Sequence, residues 1–235
     1  MSTVSMPTTE ATGNIGQAFR LFQLISPSLP VGAFSYSQGL EWAIEAGWVD
    51  SEETFAEWLA GQLQQSIVSL ELPMLNAAYE AAKQADWLAL ETISQRMMAW
   101  RETKELRLEE GQRGAALARL LPNLGIAMPA EVKISAQRSQ IIGLALAGAQ
   151  WQITAADLGR GYIWSWLENA VMAGVKLIPL GQTQGQQILQ RMVPVLEQAV
   201  QDATQIDMHQ AGSSAPALAI ASSNHEIQYT RLFRS

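Results

Sequence analysis

The side chains that most often carry chemistry are scarce in this sequence of 235 residues, which holds two histidines and no cysteine. Without cysteine there are no thiolate metal sites, cysteine nucleophiles or disulfides. His209 and His225 are too far apart for a metal pair on one helix. Both fall in a polar C-terminal region, where solvated imidazoles are expected. The carboxylate pairs Glu52-Glu53 and Glu109-Glu110 are neighbours in sequence and point in different directions on a helix. They read as solvated charges rather than an acid/base pair. No stretch matches the phosphate loop, and Gly159-Arg160-Gly161 lacks the third glycine of a dinucleotide fingerprint. Gly32-Ala33-Phe34-Ser35 is not a nucleophile elbow. No catalytic residue, cofactor or metal site is expected, and an enzyme built around an apolar pocket in a helical bundle finds no acid/base set. Binding to other proteins is the chemistry that remains.

Bulk properties agree. The net charge of −7 disfavours nucleic acid and anionic lipid as partners. A hydrophobic fraction of 48% supports a large core. The apolar centre Ile141–Ala149 is too short to cross a bilayer. No signal-peptide pattern opens the chain, and a cytoplasmic location is expected.

Helical periodicity runs through most of the chain, so the expected fold is all-α: one multi-helix domain over residues 15–206. Residues 1–14 read as a disordered tail. A short helix, Gln17 to Ile25, precedes the rigid turn Ser26-Pro27-Ser28-Leu29-Pro30-Val31-Gly32. Ser35 and Gln38 fit a capping box. Phe55, Trp58, Leu59, Leu63, Ile67 and Leu70 mark one helical face, and Pro73 predicts a kink or restart near Leu72. Asp86 and Thr154 predict helix starts. Gly111, Gly114, Ala115 and Ala118 would permit a close helix crossing. Thr183 and Gln186 suggest a second capping box, before a helix containing Pro194. Residues 207–223, rich in Ala, Ser and Gly, read as a flexible linker. Residues 224–235 read as a docking tail. Trp58 and Trp166 fall on apolar stripes and are expected in the core.

Three stretches are over-specified for folding alone. SPSLPVGAFSYSQGLE, Ser26 to Glu41, crowds polar side chains beside a rigid turn. VKLIPLGQTQGQ, Val175 to Gln186, puts Gly185 at a helix start, at a cost of up to about 1 kcal/mol against Ala. That suggests the close approach of another backbone or a partner. EIQYTRLFRS, Glu226 to Ser235, combines aromatics with arginine, the residues that carry interface energy.

SPSLPVGAFSYSQGLEWAIEAGWV at Ser26–Val49, VKLIPLGQTQGQ at Val175–Gln186 and HEIQYTRLFRS at His225–Ser235, in this order and together with TKELRLEEG at Thr103–Gly111, resemble the urease accessory protein F family. The resemblance implies an all-α, non-enzymatic subunit in urease maturation. It implies assembly with the D/H accessory protein and the accessory GTPase G, docking on apo-urease, and a homodimer within that complex. It also implies support for nickel insertion and lysine carbamylation, although two histidines and no cysteine make this chain a poor nickel store. On this basis Tyr229, Arg231, Leu232, Phe233 and Arg234 are expected to meet the D/H partner. Tyr36, Ser37, Gly39 and Glu41 are expected at the GTPase side or the central interface. Lys176, Pro179, Gly181, Gln182 and Gly185 are expected to shape the surface near the tail. The alternative is a regulator of the accessory GTPase, with Arg101, Arg107 or Arg113 acting as an arginine finger.

Overall fold

The computed structural model describes the backbone of residues 9–235 and side chains from residue 16 onward. Among the described residues the chain is all-α, with no strand. The first helix, α1 (Thr9–Ile25), starts eight residues before the expected Gln17. Residues 1–8 of the expected disordered tail lie outside the described residues. After the proline turn come a 3-10 turn, Ala33–Ser35, and the short α2 (Leu40–Glu45). Ser35 therefore ends a turn and caps nothing; Gly39 stands at the start of α2, without a side-chain cap.

The next helical run has three parts. α3 (Glu52–Gln62) starts at Ser51, whose hydroxyl accepts from Thr54 N. A π-helical section follows, Leu63–Glu71, and then α4 (Leu72–Lys83), with Pro73 in its first turn. Pro73 has no N–H to donate, and it follows directly on the π section, where Leu72 N donates five residues back to Ile67 O. α5 (Trp87–Ala99) is capped by Asp86, which accepts from Ala89 N at 2.9 Å. α6 (Lys104–Leu120) is capped by Thr103, and α7 (Ala130–Arg138) lies across it. The small residues allow this close crossing: a Cβ on Gly114 would lie 2.9 Å from Gln137 O and Ser139 N.

α8 (Gln140–Gln150) forms the centre, with Ile141, Ile142, Leu144, Ala145, Leu146 and Ala147 all buried. α4 and α6 pack against it. A helix apolar on all sides is stable only when surrounded in this way. α9 (Ala155–Leu177) carries α1 and α10 (Gln182–Ala203). Trp166 is buried and Trp58 half-buried against the core. α10 begins at Gln182, with Gly181 N donating to Gln184 Oε1 at 2.8 Å, so Thr183 and Gln186 lie inside the helix instead of capping it. α10 contains Pro194, as the sequence predicts.

The region read as a flexible linker is different. Ala211 and Ala215 are buried, and residues 216–225 form α11 (Pro216–His225). Gly212 N donates to Ser69 O at 3.0 Å, and Ser213 Oγ donates to Gln65 O at 3.0 Å. The π section thus offers carbonyls that the strap at 212–213 satisfies. Composition alone suggested flexibility because alanine and serine lack bulk, but small side chains also permit close packing.

A docked tail and its groove

The tail lies against its own chain. The turn before α2 sets up the groove. Gln38 and Gly39 are both left-handed, at φ 52° and 77°. That conformation costs an L-residue roughly 1–2 kcal/mol. At Gly39 it combines with a close approach, since a Cβ there would lie 3.0 Å from Ala221 Cβ and Ser222 N in α11. Gly39→Ala is expected to cost about 2 kcal/mol or more. Urea denaturation tests this, together with faster amide exchange at Leu232 and Phe233.

The turn aims the N–H groups of Ser37 and Gln38 at the main-chain oxygen of Ser235, at 2.5 and 3.1 Å. The Ser37 hydroxyl donates to the same oxygen at 2.6 Å. Glu41, in the first turn of α2, accepts from Leu232 N at 2.6 Å and Phe233 N at 2.9 Å. Arg234 N donates to Ser35 O at 2.7 Å. The Phe233 ring is buried, with Lys176 Nζ 5.8 Å from its centroid, a cation–π arrangement.

A second layer holds this arrangement in place. His225 is fully buried, with Nδ1 2.8 Å from Glu105 Oε2 and Nε2 3.3 Å from Glu41 Oε2. Arg231 donates to the other Glu105 oxygen at 3.0 Å. Glu226 accepts from Lys104 N at 3.0 Å, at the positive N-terminal end of α6. His225 was expected to be solvated. Its burial follows from α11, which the sequence did not reveal, and two carboxylates supply its polar partners. His209, by contrast, is exposed.

Glu109 and Glu110, also expected in solvent, are buried because α6 lies inside the fold. Glu110 accepts from Arg101 at 2.6 and 3.0 Å and from Ser139 Oγ at 2.6 Å. Arg101 also donates to Glu71 Oε1 at 2.8 Å. Tyr162 donates to the other Glu71 oxygen. Glu109 accepts from Arg113 at 2.9 Å and from Gln38 Nε2 at 3.0 Å. The network borders a cavity of ≈ 50 Å³. Leu24, Leu117 and Leu144 close its apolar side. The convergent ionisable groups here pair with one another.

Burial pushes the Glu71 carboxyl up, but the Arg101 charge and the hydrogen bonds from Arg101, Tyr162 and Ser66 outweigh it and hold the group below its ordinary value. Burial raises Glu109, and Arg113 and Arg101 offset this only in part. Burial also raises the Tyr36 hydroxyl, helped by the charge of Glu109. Tyr36 thus stays protonated and donates to Gln112 at 2.6 Å.

The linkage signs follow. Glu71, being depressed, stabilises the fold above the ordinary carboxylate range, and that contribution is lost as pH falls through its folded value. Glu109, being raised, acts in the opposite sense and loses its contribution as pH rises. Glu71 therefore keeps its charge to lower pH than an ordinary carboxylate, and its protonation there removes the Arg101 partner. Replacing Arg101, Glu71 and Glu110 together by Met, Gln and Gln should flatten the fall in stability below about pH 5; an unchanged slope would show that other carboxylates dominate.

The structure brings Tyr36, Ser37, Gly39, Glu41, Lys176, Arg231, Leu232, Phe233 and Arg234 into one region. Tyr229 is fully exposed, at 102%, and Leu232 is 68% exposed. Pro179, Gly181 and Gln182 lie apart from these contacts, at the exposed α9–α10 turn. Gly185 is buried for an internal reason: a Cβ there would lie 2.8 Å from Val175 Cγ2. Sequence reasoning missed Glu105 and His225 as tail anchors. The one available signal was that both lie in stretches carrying the family resemblance.

No helix among the described residues is long and apolar enough to cross a membrane. No group of three His, Cys, Asp or Glu among them is placed to hold a metal ion. The UreF family model matches residues 49–193. The urease accessory protein UreF of Alcanivorax borkumensis is 48% identical over 223 residues, covering 92% of this chain and 97% of the relative. The protein of the same name from Escherichia coli O157:H7 is 44% identical over 230 residues, covering 98% and 100%. With more than half of the chain matched by the family model and relatives aligned along nearly all of it, this protein belongs to the urease accessory protein F family.

Proposed function

We propose that this chain is a non-enzymatic scaffold in urease maturation, assembling with the D/H accessory protein and the accessory GTPase G on apo-urease to support nickel insertion. The observation that carries this reading is the docked tail, which presents Tyr229 and Leu232 to solvent while Phe233 anchors the segment beneath them. Exposed aromatic and aliphatic side chains on an ordered support lose little entropy on binding. The D/H partner takes this tail surface, and the GTPase takes the adjoining surface around Tyr36. The assembly contains a homodimer of this chain and works in the cytoplasm.

The alternative is regulation of the accessory GTPase by an arginine finger. Arg101 and Arg113 are occupied by buried carboxylates. Arg107 is exposed, although its guanidinium donates to Arg101 O at 2.7 Å. GTP turnover by the GTPase, measured with the native chain and with Arg107→Ala, separates the readings. The scaffold reading expects equal rates; a drop of about 10³-fold with Arg107→Ala would favour the finger.

A further inference from the structure

The tail and the groove have the geometry of a peptide ligand and its receptor. Each main-chain N–H from Leu232 to Arg234 donates to the groove: two to the Glu41 carboxylate and one to Ser35 O. The Ser235 main-chain oxygen takes three donors, from Ser37 N, Ser37 Oγ and Gln38 N. These contacts need a peptide without proline at the three donor positions, but they do not read side chains. Selectivity comes from three further contacts. Phe233 is buried beside Lys176, Arg231 pairs with Glu105, and Ser235 is completely buried, with its hydroxyl donating to Glu109 Oε2 at 3.4 Å.

The connection to the rest of the chain is light. Ile227, Tyr229 and Thr230 are exposed. His225 anchors the end of α11 upstream of them. Between α11 and the groove the side-chain anchors are Glu226, which accepts from Lys104 N, and Gln228, which donates to Glu45.

We propose that the groove formed by residues 35–41 with Glu105 and Lys176 is a peptide-recognition site for the pattern Arg-x-Phe-x-Ser. Its own residues 231–235 fill it in this structure, and the same segment of a second copy fills it in trans when the resident tail is displaced. Glu41 is the main anchor, because one carboxylate receives two adjacent peptide N–H groups and charge-assisted bonds of this kind are the stronger ones. The site belongs to one chain and requires no urease component, so it stands or falls separately from the scaffold reading.

The test uses full-length protein and a fluorescein-labelled peptide with the sequence of residues 226–235, followed by fluorescence anisotropy. Phe233→Ala weakens the resident tail and leaves the groove intact. This variant is expected to bind the peptide. The native chain should bind it at least about 10²-fold more weakly, because a tethered tail competes at an effective concentration near millimolar. Adding Glu41→Gln to Phe233→Ala should remove binding, as should Phe→Ala within the peptide. If Phe233→Ala does not fold by circular dichroism, Leu232→Pro, which deletes one N–H donated to Glu41, takes its place. The proposal is overturned if the folded variant shows no binding up to millimolar peptide. Equal binding by the native chain, or binding unaffected by Glu41→Gln, would overturn it as well.

Discussion

Replacing Tyr229 and Leu232 together by alanine is expected to leave the melting temperature unchanged while abolishing capture of the D/H partner. Both side chains face solvent, and surface truncations away from caps and buried networks usually change stability by less than about 0.5 kcal/mol. In an interface centred on them, each would rank among the few residues that dominate affinity, so a joint loss on the order of 10²–10³-fold is expected. Co-purification with a tagged D/H partner measures this, with circular dichroism as the folding control. Undiminished capture would remove the tail surface from the interface. Phe233→Ala is a poorer probe because its ring is buried, so its truncation disturbs the tail itself. Deleting residues 226–235 has the same defect. It would remove the carboxylate at the start of α6 and leave Glu41 without its two N–H donors.

Arg101→Ala is expected to be the most destabilising single change at the interior network. The guanidinium lies between Glu71 and Glu110, whose side chains are 6% and 2% exposed. Removing it leaves two buried carboxylates facing one cavity without their cation. Breaking a buried pair in this way costs about 3–5 kcal/mol, chiefly through the uncompensated charge. Urea denaturation should show the midpoint falling accordingly. Glu71→Gln and Glu110→Gln on the Arg101→Met background should recover most of the loss, because a neutral set of similar volume carries no unpaired charge. A loss below about 1 kcal/mol for Arg101→Ala would mean that water screens the network through the cavity.

The apolar parts of the fold were legible in the sequence. The apolar centre Ile141–Ala149 lies within the buried α8, and Asp86 and Thr154 cap the helices they announce. Periodicity and caps are local properties, and these elements depend on little else. The failures concern long-range partners. Ala211 to Ser223 reads as a linker because nothing in its composition reveals the carbonyls of the π section that receive it. Glu109, Glu110 and His225 read as solvated because their partners lie on other elements: Arg101 and Ser139 for Glu110, Gln38 for Glu109, and Glu41 and Glu105 for His225. At the docked tail, sequence marked residues on both sides. It did not reveal that Glu41 and the tail are partners to each other, a pairing between residues nearly the whole chain apart.

The most direct test is activation of apo-urease with purified D/H and G proteins, nickel, bicarbonate and GTP, with and without this chain. Urease activity should appear at its full level only when the chain is present, and should fall to the level without it when Tyr229 and Leu232 are replaced by alanine. Equal activation in the absence of the chain would contradict a scaffold role in urease maturation.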